Sequence, residues 1–171
     1  MLEGEGQISY APHRGYFVTE LDISELLEVY QIRNILETEA VSIAIPLLTA
    51  EDDERLEAAI ADTERAAQED DIIALTSANR RLHFAMMEPC GMPRLIRIVR
   101  QLWDSTDPYR SVYFGDAGHR VVVDREHRKI LKAMRARETD KVIELLAEHR
   151  AGTVDSLRRL LVKQENDDVV V

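Results

Sequence analysis

Cysteine is all but missing. Cys90 is the single one in 171 residues, so no disulfide can close within the chain. Glycine (7) and proline (5) are scarce and aromatics make up only 5%, a balance that argues for helices over a many-turned β-sandwich. Positive charge is short as well. The 22 Lys and Arg against 32 Asp and Glu give a formal net charge of −10, which repels a phosphate backbone and argues against a free-standing nucleic-acid binder. The acidic start lacks the basic and apolar regions of a signal peptide. The longest apolar run, Ala40 to Leu48, is interrupted by Ser42 and Pro46 and falls far short of the ~20 residues that a membrane span requires. A cytoplasmic protein with no membrane partner is the expectation. At about 150 residues per domain, the length suits one domain with a short appendage.

What is present reads as helices. Residues 1–20 differ from the rest: Gln7 to Tyr10 and Tyr16 to Thr19 are short β-prone runs around Ala11-Pro12-His13-Arg14-Gly15, and predict a hairpin. A hairpin alone is marginal in water, so it is either packed on the helices or the remainder of a larger unit. From Asp22 onward the signals are helical. Asp22 with Glu25 opens a first helix to about Leu48, and Thr49 with Asp52 a second to about Gln68. Asp70 or Asp71 caps a third to about Met87. Pro93 starts a fourth to about Phe114, with Pro108 expected to bend it. After a loop over Gly115–His119, a fifth helix covers about Val121 to Arg137 and a sixth about Thr139 to Lys163. The expected fold is an all-α, antiparallel bundle of about six helices over residues 21–165, with a short tail at 166–171.

Three histidines stand where such a bundle would normally carry leucine. His83 shares the third helix's stripe with Leu75, Leu82 and Met86, and Asn79 lies one turn before it. His127 is in register with Val123, Ile130 and Met134, and His149 with Val142, Leu146 and Leu157. If the last two helices turn back near Glu138, each histidine is 11 residues from the turn, so both sit at one height, roughly 16 Å along the axis. Asn79 and His83 from a third helix would complete a set of three nitrogens and one amide oxygen, and bundles commonly build metal sites that way. Imidazole suits Zn, Ni, Fe and Cu alike. The competing reading makes each one a core histidine bonded to a backbone carbonyl. His13 and His119 fall in loops and are expected to be solvated.

Arginines suggest an anion beside the cation. On the fourth helix Arg110 shares a stripe with Val99, Trp103, Thr106 and Tyr113; on the first, Arg33 and Glu37 are in line with Leu26, Tyr30, Ala40 and Ala44. An inward guanidinium near a cation is costly unless an anion joins them, which points to a small carboxylate held by metal, Arg33, Arg110 and Trp103. Two plainer readings stand beside this: Arg33 and Glu37 as a surface i,i+4 pair, and Arg110 with its head in water past Trp103.

In order and spacing these residues resemble the effector-binding domain of the FadR subfamily of GntR transcriptional regulators, the FCD domain, over about residues 10–161. The markers are Pro12-His13-Arg14-Gly15-Tyr16-Phe17-Val18, Arg33 with Leu36-Glu37, Asn79-Arg80-Arg81-Leu82-His83, Gly91, Leu95, Glu126-His127-Arg128 with Ile130-Leu131, and Glu148-His149-Arg150. The resemblance implies a dimeric helical domain that binds a small organic acid, frequently through a divalent ion on an acidic residue and three histidines. His83, His127 and His149 match those histidines, while Asn79 stands where the family normally has Asp. The metal would be Zn, Ni or Mn. A neutral amide there lowers metal affinity and strengthens the pull on an anion.

The resemblance also implies an N-terminal winged helix-turn-helix, of which this sequence resembles only the final strands, with Arg14 and Gly15 at the wing tip as the DNA-contacting residues. DNA would be reached only through such a head, its recognition helix missing here, whether the chain is a fragment or a truncated gene product. The expected function is therefore effector sensing and homodimerisation in a regulator, not catalysis. The alternative is a metal-dependent hydrolase-like enzyme on a helical bundle. No HExxH, GxSxG, GxGxxG or P-loop pattern supports it, and Glu126 and Glu148, adjacent to histidines, are expected to face away from the site because neighbouring helical residues point about 100° apart.

Overall fold

The computed structural model describes residues 8–11, 15–18 and 23–168. Its body is six helices: α1 (Ile23–Ala44), α2 (Ala50–Gln68), α3 (Ile72–Met87), α4 (Pro93–Phe114), α5 (Ala117–Arg135) and α6 (Thr139–Asp168), with single 3₁₀ turns at Ile45–Leu47 and Glu88–Cys90. Two four-residue strands precede them, β1 (Ile8–Ala11) and β2 (Gly15–Val18), paired antiparallel with Ile8 opposite Val18. Gly15 opens β2, opposite Ala11. Arg14 and His13 lie outside the described residues, as do the tail residues 169–171.

Capping chemistry sets the boundaries. Thr49 caps α2 in a reciprocal box: its Oγ1 accepts from the Asp52 amide at 3.2 Å while the Asp52 carboxylate accepts from the Thr49 amide at 2.8 Å. Asp71, not Asp70, caps α3 by accepting from Ala74 N at 2.9 Å. Pro93 occupies the first turn of α4, and the helix continues through Pro108. The fifth helix begins four residues earlier than its apolar pattern suggests, because Asp116 accepts from the amides of Gly118 (2.6 Å) and His119 (3.3 Å) and so starts the helix inside the expected loop. His119 is accordingly not a free loop residue: it is half-buried, its ring stacked on Tyr113 at 4.4 Å and its Nδ1 3.0 Å from the Tyr113 carbonyl.

The α5–α6 reversal falls at residues 136–138, where Arg137 takes a left-handed backbone (φ 58°) and its guanidinium bonds Asp53 (3.0 and 2.9 Å) and the Leu48 carbonyl (3.0 Å). Helix α1 packs against α3, α4 and α6, α2 against α3 and α5, and α5 against α6.

Two separate apolar clusters form the core. The one nearer the α5–α6 turn contains Ala40, Ala44, Leu56, Leu82, Trp103, Ile130, Met134 and Leu146. The other, toward the opposite end, contains Leu26, Tyr30, Leu75, Tyr113, Phe114, Val123 and Leu157. Along α1, α5 and α6 the chain passes from one cluster to the other through polar residues: Arg33 and Glu37, then His127, then His149 and Arg150. α3 and α4 bring Asn79, His83, Thr106 and Arg110 to the same level. The bundle thus holds a polar layer between two greasy ones, and that layer is where chemistry is to be sought.

Candidate metal and anion site

His83, His127 and His149 come from three helices and meet. Each offers a ring nitrogen within 4.8 Å of the others, all three side chains are buried, and His127 Nε2 lies 3.3 Å from His83 Nε2. Nitrogens sharing an ion at bonds of about 2.1 Å lie roughly 3.0 to 3.4 Å apart for octahedral or tetrahedral angles, so the His83–His127 spacing suits a common cation. Burial, and then the neighbouring imidazoles His127 and His149, hold His83 well below the usual histidine range; burial, and then His149, does the same for His127. Both rings are neutral at pH 7, as metal ligands must be. The Asn79 side-chain oxygen is buried without any protein hydrogen-bond partner. An unsatisfied buried amide oxygen is costly, and a cation would satisfy it. The donor set fits a divalent ion.

The site has a support that sequence reasoning did not foresee. Glu126, expected to face away from the centre, is not among the groups that line it, but its carboxylate lies 2.7 Å from His149 Nδ1 and supports that ring from outside. The reason is geometry between helices: the direction that leaves the centre of α5 runs along the neighbouring face of α6, where His149 stands. A carboxylate only accepts, so Nδ1 carries a proton and Nε2 is the nitrogen left to face the other two histidines. His127 Nδ1 has no partner.

Arg33 and Glu37 are not a surface pair. They are 3% and 2% exposed, and joined at 2.8 Å through Arg33 Nε. Glu37 also accepts from Trp103 Nε1 at 2.7 Å and from Arg150 Nη1 at 3.3 Å. Burial pushes the Glu37 carboxyl upward, but Arg33, Arg150 and the Arg33 and Trp103 hydrogen bonds outweigh it, so the group stays ionised. Arg110 is buried too, not snorkelled into water: its guanidinium carbon is 3.9 Å and that of Arg33 4.1 Å from the Trp103 ring centre, and Thr106 Oγ1 accepts from both arginines (3.1 Å from Arg33, 3.3 Å from Arg110). Trp103 in turn sits 5.1 Å from His83, ring centre to ring centre, which ties the arginines to the histidines.

A small cavity of about 30 Å³ joins these groups; Arg33, Asn79, His83, Trp103, Arg110 and His149 all line it. Every residue expected at the metal or the effector therefore reaches the same polar layer, and His127 completes the triad from behind. Missed by sequence reasoning were Arg150, which also lines the cavity and bonds Asn34 and Thr38 (2.9 and 3.1 Å), and Glu126. The available signal was their position beside His149 and His127 in two charge-rich triplets. No helix among the described residues is long and apolar enough to cross a membrane.

Residues 28–152 match the sequence model of the FCD domain, most of the chain. The HTH-type transcriptional regulator McbR of Escherichia coli K12 is 28% identical over 144 residues, which is 82% of this chain and 65% of McbR, so the chain spans just under two thirds of that relative's length. The solved E. coli McbR/YncC structure superposes with a TM-score of 0.85 at 24% identity, covering 93% of this chain and 80% of that one. A metal-free FCD domain of the regulator TM0439 superposes with a TM-score of 0.72 at 18% identity, covering 85% of this chain and 99% of that one. McbR is a regulator of transcription, which favours the regulatory reading over the hydrolase alternative. The chain belongs to the FCD domain family.

Proposed function

We propose that this domain senses a small organic acid at a divalent metal held by Asn79, His83, His127 and His149, and relays binding to a DNA-reading head in a homodimer. The observation that carries it is the convergence of three ring nitrogens within 4.8 Å beside a buried Asn79 oxygen that lacks a partner. The ion, Zn, Ni or Mn, would supply a positive centre that orients one carboxylate of the effector. Arg33 and Arg110, stacked on Trp103, supply a second positive wall. DNA is read by a winged helix-turn-helix, and the β1–β2 pair, with Gly15 and the adjoining Arg14, is its wing. Dimerisation draws on the outer faces of α1 and α4, where Ile32, Ile35 and Ile98 stay exposed. The effector works by binding one arrangement of the two subunits better than the other.

The test has two parts. Elemental analysis of protein purified without chelator or metal-affinity tag should find about one divalent ion per chain, lost on substituting His83 and His127 together by alanine. Operator binding by the full-length, metal-loaded regulator should change with at least one short organic acid. Absence of metal under both native purification and titration defeats the reading, as does an operator affinity indifferent to every acid tried.

A further inference from the structure

The cavity wall is unbalanced in charge. Three guanidiniums line it, those of Arg33, Arg110 and Arg150, and no carboxylate does. The buried anion nearest them is Glu37, behind the wall, and it is shared between Arg33 and Arg150. Arg110 has Asp107 at 2.5 Å, but that carboxylate is 37% exposed and is shared with Arg80 at 2.9 Å. Burial, and then repulsion from Arg33, lower Arg110 to about 10, so it remains a cation whose charge its protein partners do not fully offset. Arg33 spends Nε on Glu37 and Nη1 on Thr106, which leaves Nη2 for a ligand. At the other end of the cavity stands Asn79, a neutral donor with a free oxygen, beside His83 and His149.

Counting formal charges decides what would neutralise this space. One buried carboxylate against three buried guanidiniums leaves an excess of two positive charges before Asp107 is counted, and about one after it. A divalent ion at the histidines would add two more, because Asn79 contributes none, and the partly exposed Glu126 beside His149 offsets at most one of them. A monocarboxylate removes one unit and leaves the arginine end or the histidine end uncompensated. Charges out of water are tolerated only when paired, so the better occupant carries a negative group at each end.

We propose that the effector is a short dianion with two carboxylates on one small frame, one directed to the histidine end and the other to Arg33 and Arg110, in preference to a monocarboxylate. This rests on the acid-sensing reading above and makes it more specific. Trp103 sets the span. Its ring centre lies 5.1 Å from that of His83 and about 4 Å from both guanidinium carbons, so the two positive ends are a few atoms apart. The cavity that joins them is small, about 30 Å³, which suits a short frame.

The experiment is calorimetry on the zinc-loaded chain at fixed ionic strength, comparing malonate and succinate with propionate and butyrate. At least one dicarboxylate should bind about ten-fold or more tightly than the monocarboxylate of equal carbon number. Arg110→Gln should reduce that ratio to about two-fold or less. Asn79→Asp, which keeps the side chain's shape and adds a negative charge at the histidine end, should weaken the dicarboxylate by about ten-fold and by more than it weakens the monocarboxylate, so that their affinity ratio falls. Because the second variant changes no volume, the proposal stays open to refutation even if Arg110→Gln does not fold. Equal affinity for both acid classes in the unmodified chain overturns the dianion assignment but leaves acid sensing standing. No binding by either class, with zinc bound, overturns both.

Discussion

The Glu126 carboxylate lies 2.7 Å from Nδ1 of His149, across the α5–α6 pair. This contact fixes which nitrogen of the ring faces the other two histidines, because the acceptor carboxylate pins the proton to Nδ1. Outer-shell carboxylates of this kind typically contribute 10- to 100-fold to metal affinity. Glu126→Gln should therefore weaken zinc binding by roughly that factor in competition titrations with a chromophoric chelator. The circular dichroism spectrum should not change, since the side chain is 30% exposed and leaves no hole. Unchanged affinity would mean that packing alone orients His149.

Glu37 has the opposite character, with no water to replace it. It accepts from Arg33, Trp103 and Arg150 while 2% exposed. Removing one member of a buried ion pair costs about 3–5 kcal/mol, because the partner charges are left unpaired. Glu37→Gln keeps the volume but turns one of the two acceptor positions into a donor facing guanidinium. Urea unfolding should show a loss of that order. A loss below about 1 kcal/mol would mean that water reaches Arg33 and Arg150 once the charge is gone.

How much of this could be read from the residues follows from their physics. The helices were legible because Thr49, Asp71 and Pro93 carry strong end signals, and because the apolar periodicity is long. His83, His127 and His149 were legible as a set because each interrupts a stripe that otherwise holds aliphatic residues, and equal distances from a turn give equal heights. The inner pairing of Arg33 with Glu37 was open, since an i,i+4 ion pair looks the same on a surface and in a core. What decides it is the packing of α4 and α6 over that face, a tertiary fact. The contact of Glu126 with His149 was missed for a related reason: a direction away from the centre was taken from one helix, while the partner it meets stands on another. The start of α5 was missed because its first turn is held by the Asp116 cap rather than by burial.

The depressed histidines give a pH dependence with a definite sign. In the unfolded chain an imidazole titrates near 6.5, and in the folded, metal-free protein His83 and His127 titrate well below this. Between the two values the unfolded state binds more protons, so stability falls as pH drops below about 6.5, and is full above it. Each of the two histidines contributes up to about 1.4 kcal/mol per pH unit in that window. Thermal melts of chelator-treated protein from pH 8 to pH 5 should show a Tm that is flat at first and then declines. His83→Gln combined with His127→Gln should flatten the decline; a decline that persists in the double variant would assign it to carboxylates elsewhere.

Arg137 offers a test in which the usual order of glycine and alanine is inverted. Its backbone is left-handed (φ 58°), a conformation that costs an alanine about 1 kcal/mol and a glycine almost nothing. Its side chain offsets that cost by binding both oxygens of Asp53 and the Leu48 carbonyl, which ties the α5–α6 turn to the start of α2. Arg137→Ala loses the tie and keeps the strain. Arg137→Gly loses the tie and relieves the strain. Alanine should therefore be the more destabilising by about 1 kcal/mol, whereas within a helix glycine would be the worse by a similar amount. Equal melting temperatures for the two variants would show that the turn relaxes once Asp53 lets go, and that the positive φ is a consequence of the clamp rather than a feature of the turn itself.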